Sequence, residues 1–280
     1  MMINYASTES GELRPTTTVR NSQMEEWELA EVERSAREAQ QIDSGSLKLT
    51  EDNAARYGSP APDTMFSLEY AFHLLGDVNG KDVLEYGCGH GENTILLARR
   101  GPRIQALDIS PELIEVARRR MHRNGVRAPI SFHVASGYEV PCPNESVDIV
   151  FAIMILHHLD LAAAAREIRR VLRPGGRVIV SEPVMNSQTL RAIRRLIPYR
   201  APDVSPYERQ LTFRELDEFS AGFQVRRARS FELPLLRLVS HIPVLRRRMR
   251  PWYLLDRWLL TYFPWLKHAA GVRVFELQKL

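Results

Sequence analysis

Three glycines at alternate positions, Gly87, Gly89 and Gly91, follow an acid, Glu85, at the end of a short apolar run. Glycine lets a chain turn sharply and lets a ligand approach the backbone with no Cβ in the way. The stretch from Asp82 through Ile95 therefore reads as strand, glycine turn and helix, the opening of a nucleotide-binding unit. A second acid, Asp108, ends the run from Arg103 to Leu107. At that position a carboxylate accepts two hydrogen bonds from ribose hydroxyls, and Ile109 beside it covers one face of an adenine. His157 and His158 follow the apolar run from Val147. Imidazole titrates near neutral pH, so either can take a proton from a hydroxyl or amine. Glu182, after the run from Arg177 to Ser181, is a third candidate for that role.

The glycine spacing narrows the ligand. A dinucleotide fingerprint reads G-x-G-x-x-G, but position 92 here is Glu92 and the third glycine is Gly91. The pattern is acid-x-G-x-G-x-G. No Gly-Lys-Ser or Gly-Lys-Thr run follows, so a phosphate-cradling P-loop is absent.

The elements that must position these residues alternate. Strands are expected at 82–86, 103–108, 130–134, 147–152, 177–182, 223–231 and 272–278, and helices at 93–100, 111–124, 161–172 and 213–221. Ser110 and Pro111 start one helix by N-cap and proline chemistry, and Thr212 with Glu215 forms a capping box for another. Such alternation predicts an α/β fold: a seven-stranded, mostly parallel, doubly wound sheet with helices on both faces. An N-terminal helical cap precedes it, and a helical insertion separates the last two strands, which are expected to pair antiparallel.

The acid-glycine run, together with Leu156-His157-His158-Leu159 and the segment from Val171 through Gly175 and Gly176 to Pro183, resembles the small-molecule branch of the class I S-adenosylmethionine-dependent methyltransferases. The resemblance covers residues 57–182. It implies S-adenosylmethionine as methyl donor, S-adenosylhomocysteine as product, and no metal. By resemblance, the backbone around Gly87 and Gly89 holds the methionine end, Glu85 takes its ammonium directly or through water, and Cys88, Gly91 and Asn93 also belong to the cofactor site. Tyr57 corresponds to an aromatic that touches the cofactor. Ser136 takes the place of an adenine-binding aspartate, with Gly137 offering its backbone N–H. Ala152 adds to the cofactor wall. The histidines and Glu182 stand as candidate bases, with His157 first.

A chain of 280 residues with 44% hydrophobic residues has room for one large domain with additions. The two cysteines, Cys88 and Cys142, lie far apart, which argues for a reducing compartment rather than a disulfide framework. Neither an N-terminal signal peptide nor a membrane-spanning run is expected, and the expected location is cytoplasmic with a peripheral membrane contact as an added reading.

The parts outside the core set the expected organisation. Residues 1–56 hold a polar tail and a charged helix from Met24 to Gln41, with Trp27, Leu29 and Val32 as its anchors; it reads as a solvated face or as a cap. Tyr57 to Pro60 is expected to turn, and Asp63 to Leu75 to be helical. Residues 57–233 form the core, with a lid insertion at 186–211 whose Tyr199 and Tyr207 are candidate acceptor-pocket residues. Residues 234–270 are basic and aromatic, and 271–280 supply the last strand. Three of the 4 tryptophans, Trp252, Trp258 and Trp265, follow the cluster Arg246, Arg247, Arg248 and Arg250, and Asp256 is the sole acid of this stretch. Aromatics beside arginines suit an anionic membrane surface. A lid over a greasy pocket and a homo-oligomer interface are the other readings. Nucleic acid is disfavoured because no RNA-binding module is recognisable. The expected function is methyl transfer to a small, hydrophobic or lipid-like acceptor, with oxygen favoured over carbon or nitrogen. The alternatives are a non-catalytic partner or membrane-docking protein on the same fold, and an RNA or protein methyltransferase.

Overall fold

The computed structural model describes residues 22–187 and 210–280. Its centre is one seven-stranded sheet in the order β3-β2-β1-β4-β5-β7-β6. The strands are β1 (Asp82–Tyr86), β2 (Arg103–Asp108), β3 (Ile130–Val134), β4 (Val147–Ile153), β5 (Leu172–Pro183), β6 (Phe223–Phe231) and β7 (Val272–Lys279). β1 to β5 pair in parallel, and β7 lies antiparallel between β5 and β6. The central strands are mostly apolar, with Ile149 to Ile153 of β4 an unbroken run, because both their faces are covered, as parallel sheets require. At the outer edge, β6 exposes Arg226 and Arg227, charges that discourage pairing with another chain.

The chain lays β1, β2 and β3 toward one edge, then returns to place β4 on the other side of β1. That reversal opens a crevice beyond the carboxyl ends of β1 and β4, where ligands bind in open α/β sheets. One face of the sheet packs on α3 (Ser67–Leu75), α4 (Glu92–Ala98) and α5 (Pro111–Arg123), through Phe72, Leu75, Leu97 and Ile114. The other packs on α6 (Leu161–Val171) and α7 (Phe213–Phe219), through Ile168, Leu216 and Phe219. Ser110 caps α5, its side chain accepting from Leu113 N at 3.2 Å, and the Thr212–Glu215 capping box is formed.

Three local expectations change. Tyr57 and Gly58 are not a turn but the last residues of a helix, α2 (Glu51–Gly58), capped by Thr50. Helix α3 starts at Ser67 rather than Asp63, because the Thr64 hydroxyl accepts from Phe66 N at 3.2 Å and offers a turn that competes with the helix. In α1 (Ser22–Gln41), Leu29 is exposed and anchors nothing; Met24 is buried instead, against Tyr138 and Ala163.

Residues Tyr199 and Tyr207, with most of the 186–211 insertion, lie outside the described residues. Its two ends stand side by side: Met185 N donates to Leu211 O at 2.9 Å, and Phe213 N to Asn186 Oδ1 at 3.1 Å. Between β6 and β7 the chain forms α8 (Pro234–Ser240), α9 (Pro243–Arg246) and α10 (Arg250–Tyr262). No helix among the described residues is long and apolar enough to cross a membrane.

Candidate active site

The glycine turn leaves the carboxyl end of β1 and is braced from β2. Gly87 N and Cys88 N donate to Leu107 O at 2.9 and 2.8 Å. Asp108 accepts from Gly89 N at 2.7 Å through Oδ2 and from Ser110 N at 3.0 Å through Oδ1. Each carboxylate oxygen offers two acceptor sites, so both keep capacity for a ligand hydroxyl. Burial raises the Asp108 carboxyl pKa, against the pull of those two backbone N–H groups. Behind the turn, buried Arg120 of α5 donates to His90 O at 2.9 Å and fixes the loop from below.

Two of the glycines do different work. A Cβ on Gly87, whose φ is 80°, would fall 2.6 Å from the Ile155 side chain. Gly91 faces away from the cavity, and a Cβ there would meet the Ala117 Cβ at 2.9 Å. Gly91 therefore admits the close approach of α5.

A cavity of about 240 Å³ sits on this turn. From the expected set it brings together Gly87, Cys88, Gly89, Asn93, Asp108, Ile109, Gly137 and His158. It does not bring Tyr57, Glu85, Gly91, Ser136, Ala152, His157 or Glu182 to its wall. Tyr57 packs on Phe72 at the end of α2, with ring centroids 5.3 Å apart. Ala152 is fully buried in the core; the strand pleat turns its neighbour Ile153 to the cavity, followed by Met154. Ser136 accepts from Tyr138 N at 3.0 Å and donates to Glu28.

The two histidines stand in different surroundings. His157 is buried, its Nδ1 lying 2.7 Å from Glu182 Oε2. The other Glu182 oxygen accepts from Ile155 N and Leu156 N, both at 2.7 Å. Glu182 and His157 thus hold the turn after β4 from within. His158 packs on His157 with the rings tilted by 40° and their centroids 4.1 Å apart, and it reaches the cavity.

Glu85 is fully buried beneath the turn. Burial pushes its carboxyl up to about 8; the Thr94 hydroxyl opposes this rise and the Asp108 charge adds to it. Among the described residues, neither Glu85 oxygen nor Thr94 Oγ1 has a partner with full hydrogen-bond geometry, so the Thr94 hydroxyl acts on Glu85 from nearby without a well-aligned bond. A buried carboxyl without a partner is costly unless a donor or cation arrives.

The remaining wall comes from α1, which lies across the opening. Trp27, Glu28, Glu31, Arg34, Ser35 and Glu38 fall on one helical face and line the cavity. Glu31 Oε2 is 3.2 Å from His158 Nδ1, and Arg34 joins Glu31 to Glu38, donating to Glu38 Oε2 at 2.9 Å. Burial alone would raise the Glu31 carboxyl; His158 and then Arg34 outweigh it and hold it down at about 2. Carboxylates therefore outnumber cations around the cavity, and the same turn carries an unpartnered buried acid. These features fit a compact ligand with positive charge and a hydroxylated ring, as S-adenosylmethionine is. No group of three or more His, Cys, Asp and Glu side chains suited to a metal ion occurs among the described residues.

Comparison with known proteins agrees with this geometry. Residues 84–180 match the family model of a methyltransferase domain. The chain is 36% identical over 119 residues to methyltransferase GfsG of Streptomyces halstedii, covering 42% of this chain and 43% of that one. It is 33% identical to a demethylmenaquinone methyltransferase of Tropheryma whipplei, covering 40% and 46%. Both matches span less than half of the relative's length. A solved geranyl diphosphate C-methyltransferase from Streptomyces coelicolor shares the fold, with a TM-score of 0.58 at 15% identity over 91% of this chain and 98% of that one. Residues 84–180 are thus similar in sequence to a methyltransferase domain, and the fold around them is shared with a solved methyltransferase that holds S-adenosylhomocysteine.

Proposed function

We propose that the protein transfers a methyl group from S-adenosylmethionine to a small, apolar acceptor, with oxygen the favoured acceptor atom. The observation that carries this reading is the glycine turn, braced by Asp108 and set between the unpartnered Glu85 and a cavity rich in carboxylates. When bound, the donor supplies a methyl group already electrophilic on a positively charged sulfur. The protein's share is then to bind, align and exclude water. Gly87 and Gly89 admit the ligand to the backbone, Asp108 accepts from ribose hydroxyls, and Ile109 covers the adenine. His158 takes the acceptor's proton. The named activities of the curated relatives, one of them on a demethylmenaquinone, support a small acceptor. Incubation with methyl-labelled donor and a cell extract, followed by organic–aqueous partition, tests this. Label in an organic-soluble small product is expected; label in protein or RNA alone would contradict the reading.

A specific surface favours a second element of function. The insertion between β6 and β7 exposes Val244 (79%), Tyr262 (65%), Trp265 (64%) and Trp258 (49%). Arg246, Arg247, Arg248 and Arg250 belong to the same insertion and are all exposed. Asp256, the stretch's one acid, is buried and leaves this positive charge unopposed at the surface. We infer that this face docks on anionic lipid, rings at headgroup depth and guanidinium groups on phosphates. Flotation with phosphatidylserine vesicles, but not with phosphatidylcholine alone, is expected, and salt should weaken it. Self-association in solution without vesicle binding would assign the face to a second copy instead.

A further inference from the structure

We propose that Glu31, on the N-terminal helix, is the positioning residue for His158, so that the proton-accepting group is complete only while α1 lies across the cavity. The inference rests on His158 serving the methyl transfer above and adds a residue from outside the matched domain.

The geometry is specific. His158 lines the cavity, and its Nδ1 stands 3.2 Å from Glu31 Oε2. A carboxylate at one ring nitrogen keeps the proton on that nitrogen and leaves the other, Nε2, as the acceptor. Glu31 is itself fixed: Arg34 Nε donates to its Oε1 at 3.0 Å and binds Glu38 on the next turn. On its other side, His158 packs against His157, which Glu182 holds. The imidazole is therefore clamped between two carboxylate-anchored groups, one from the core and one from the cap.

The other charged and titratable groups lining the same cavity are Glu28, Arg34 and Glu38 of α1, Tyr86, Cys88, His90 and Glu92 on β1 and the glycine turn, and Asp108 at the end of β2. Glu31 is the carboxylate in contact with the ring itself. In the step it serves, the acceptor's O–H proton passes to His158 Nε2. The acceptor oxygen forms its bond to the methyl carbon as the carbon–sulfur bond breaks, and that electron pair remains on sulfur. The imidazolium then returns its proton to water, with Glu31 balancing its charge in the interval.

The test uses the full chain and two readouts. In ¹⁵N NMR of the ligand-free protein, the neutral His158 ring should carry its proton on Nδ1. Glu31→Ala should lose that tautomer, whereas Glu31→Gln, which keeps an acceptor oxygen, should retain it. In kinetics, Glu31→Ala should cut kcat/KM by about 100-fold and Glu31→Gln by about 10-fold. Glu33→Gln, the same charge change on the solvent face of α1, should leave turnover unchanged.

An unchanged tautomer in Glu31→Ala would overturn the positioning role, whatever the turnover. The expected tautomers with no methyl transfer by the wild type would instead overturn the enzymatic reading while leaving the clamp in place.

Discussion

Glu182 and His157, 2.7 Å apart, form a buried pair at the end of β5 whose task is to hold the turn that presents His158. Glu182→Ala would orphan the His157 ring and two backbone amides together. We expect it to lower stability by about 3–5 kcal/mol in urea unfolding. His157→Ala should cost a similar amount, and the double variant clearly less than the sum. Simple additivity would show that the two residues act apart.

Gly91 is a packing residue, so its replacement should be felt in stability before binding. Gly91→Ala would drive a Cβ to 2.9 Å from the Ala117 Cβ at a φ of 81°. A loss of about 3 kcal/mol is expected from the clash and the left-handed backbone together. Thermal melting checks this. An unchanged melt with lost donor binding would return Gly91 to the cofactor site.

Glu85 makes the free protein sensitive to pH. Its carboxyl, ordinarily near 4.5, sits at about 8 in the fold. Between these values the unfolded chain has released the proton and the folded chain retains it. Stability should therefore fall as pH rises from 4.5 to 8 and level off above. Glu85→Gln should flatten that slope. If the donor's ammonium ionises Glu85, binding at pH 7 should release about one proton, visible as buffer-dependent heat. Glu85→Gln should abolish the release and weaken binding.

Asp256 ties the basic insertion to the core. It accepts from Leu233 N at 2.7 Å and Glu232 N at 3.2 Å, where α8 begins. Asp256→Ala should cost about 2 kcal/mol locally and expose the arginine cluster to trypsin, with cofactor binding intact. Equal protease resistance would show that the insertion docks without it.

Much of the architecture was legible because buried parallel strands carry continuous apolar runs, as from Ile149 to Ile153, and because Ser110 and Thr212 announce their helices. Helix α2 escaped because Gly58, Ser59 and Pro60 read as a turn, although Thr50 before Glu51 and Asp52 was a usable start signal. The floor of the site was legible from the glycine spacing and Asp108. The wall was not. Acids stand on every face of α1, Glu25, Glu26 and Glu33 among them, so nothing in the pattern singles out Glu28, Glu31 and Glu38. Only burial of Met24 and Ser35 orients that helix. Adjacent residues also defeat sequence reasoning: the inward pull of Glu182 takes His157 and leaves His158 to the cavity. The pleat likewise buries Ala152 and turns out Ile153.

Isothermal calorimetry with S-adenosylhomocysteine tests the central claim most directly. The wild type should bind it at a single saturable site. Gly89→Val should not, because a Cβ there meets no protein atom within 4 Å and the added side chain would occupy the ligand's space. No heat with the folded wild type, or equal binding by Gly89→Val, would contradict the account.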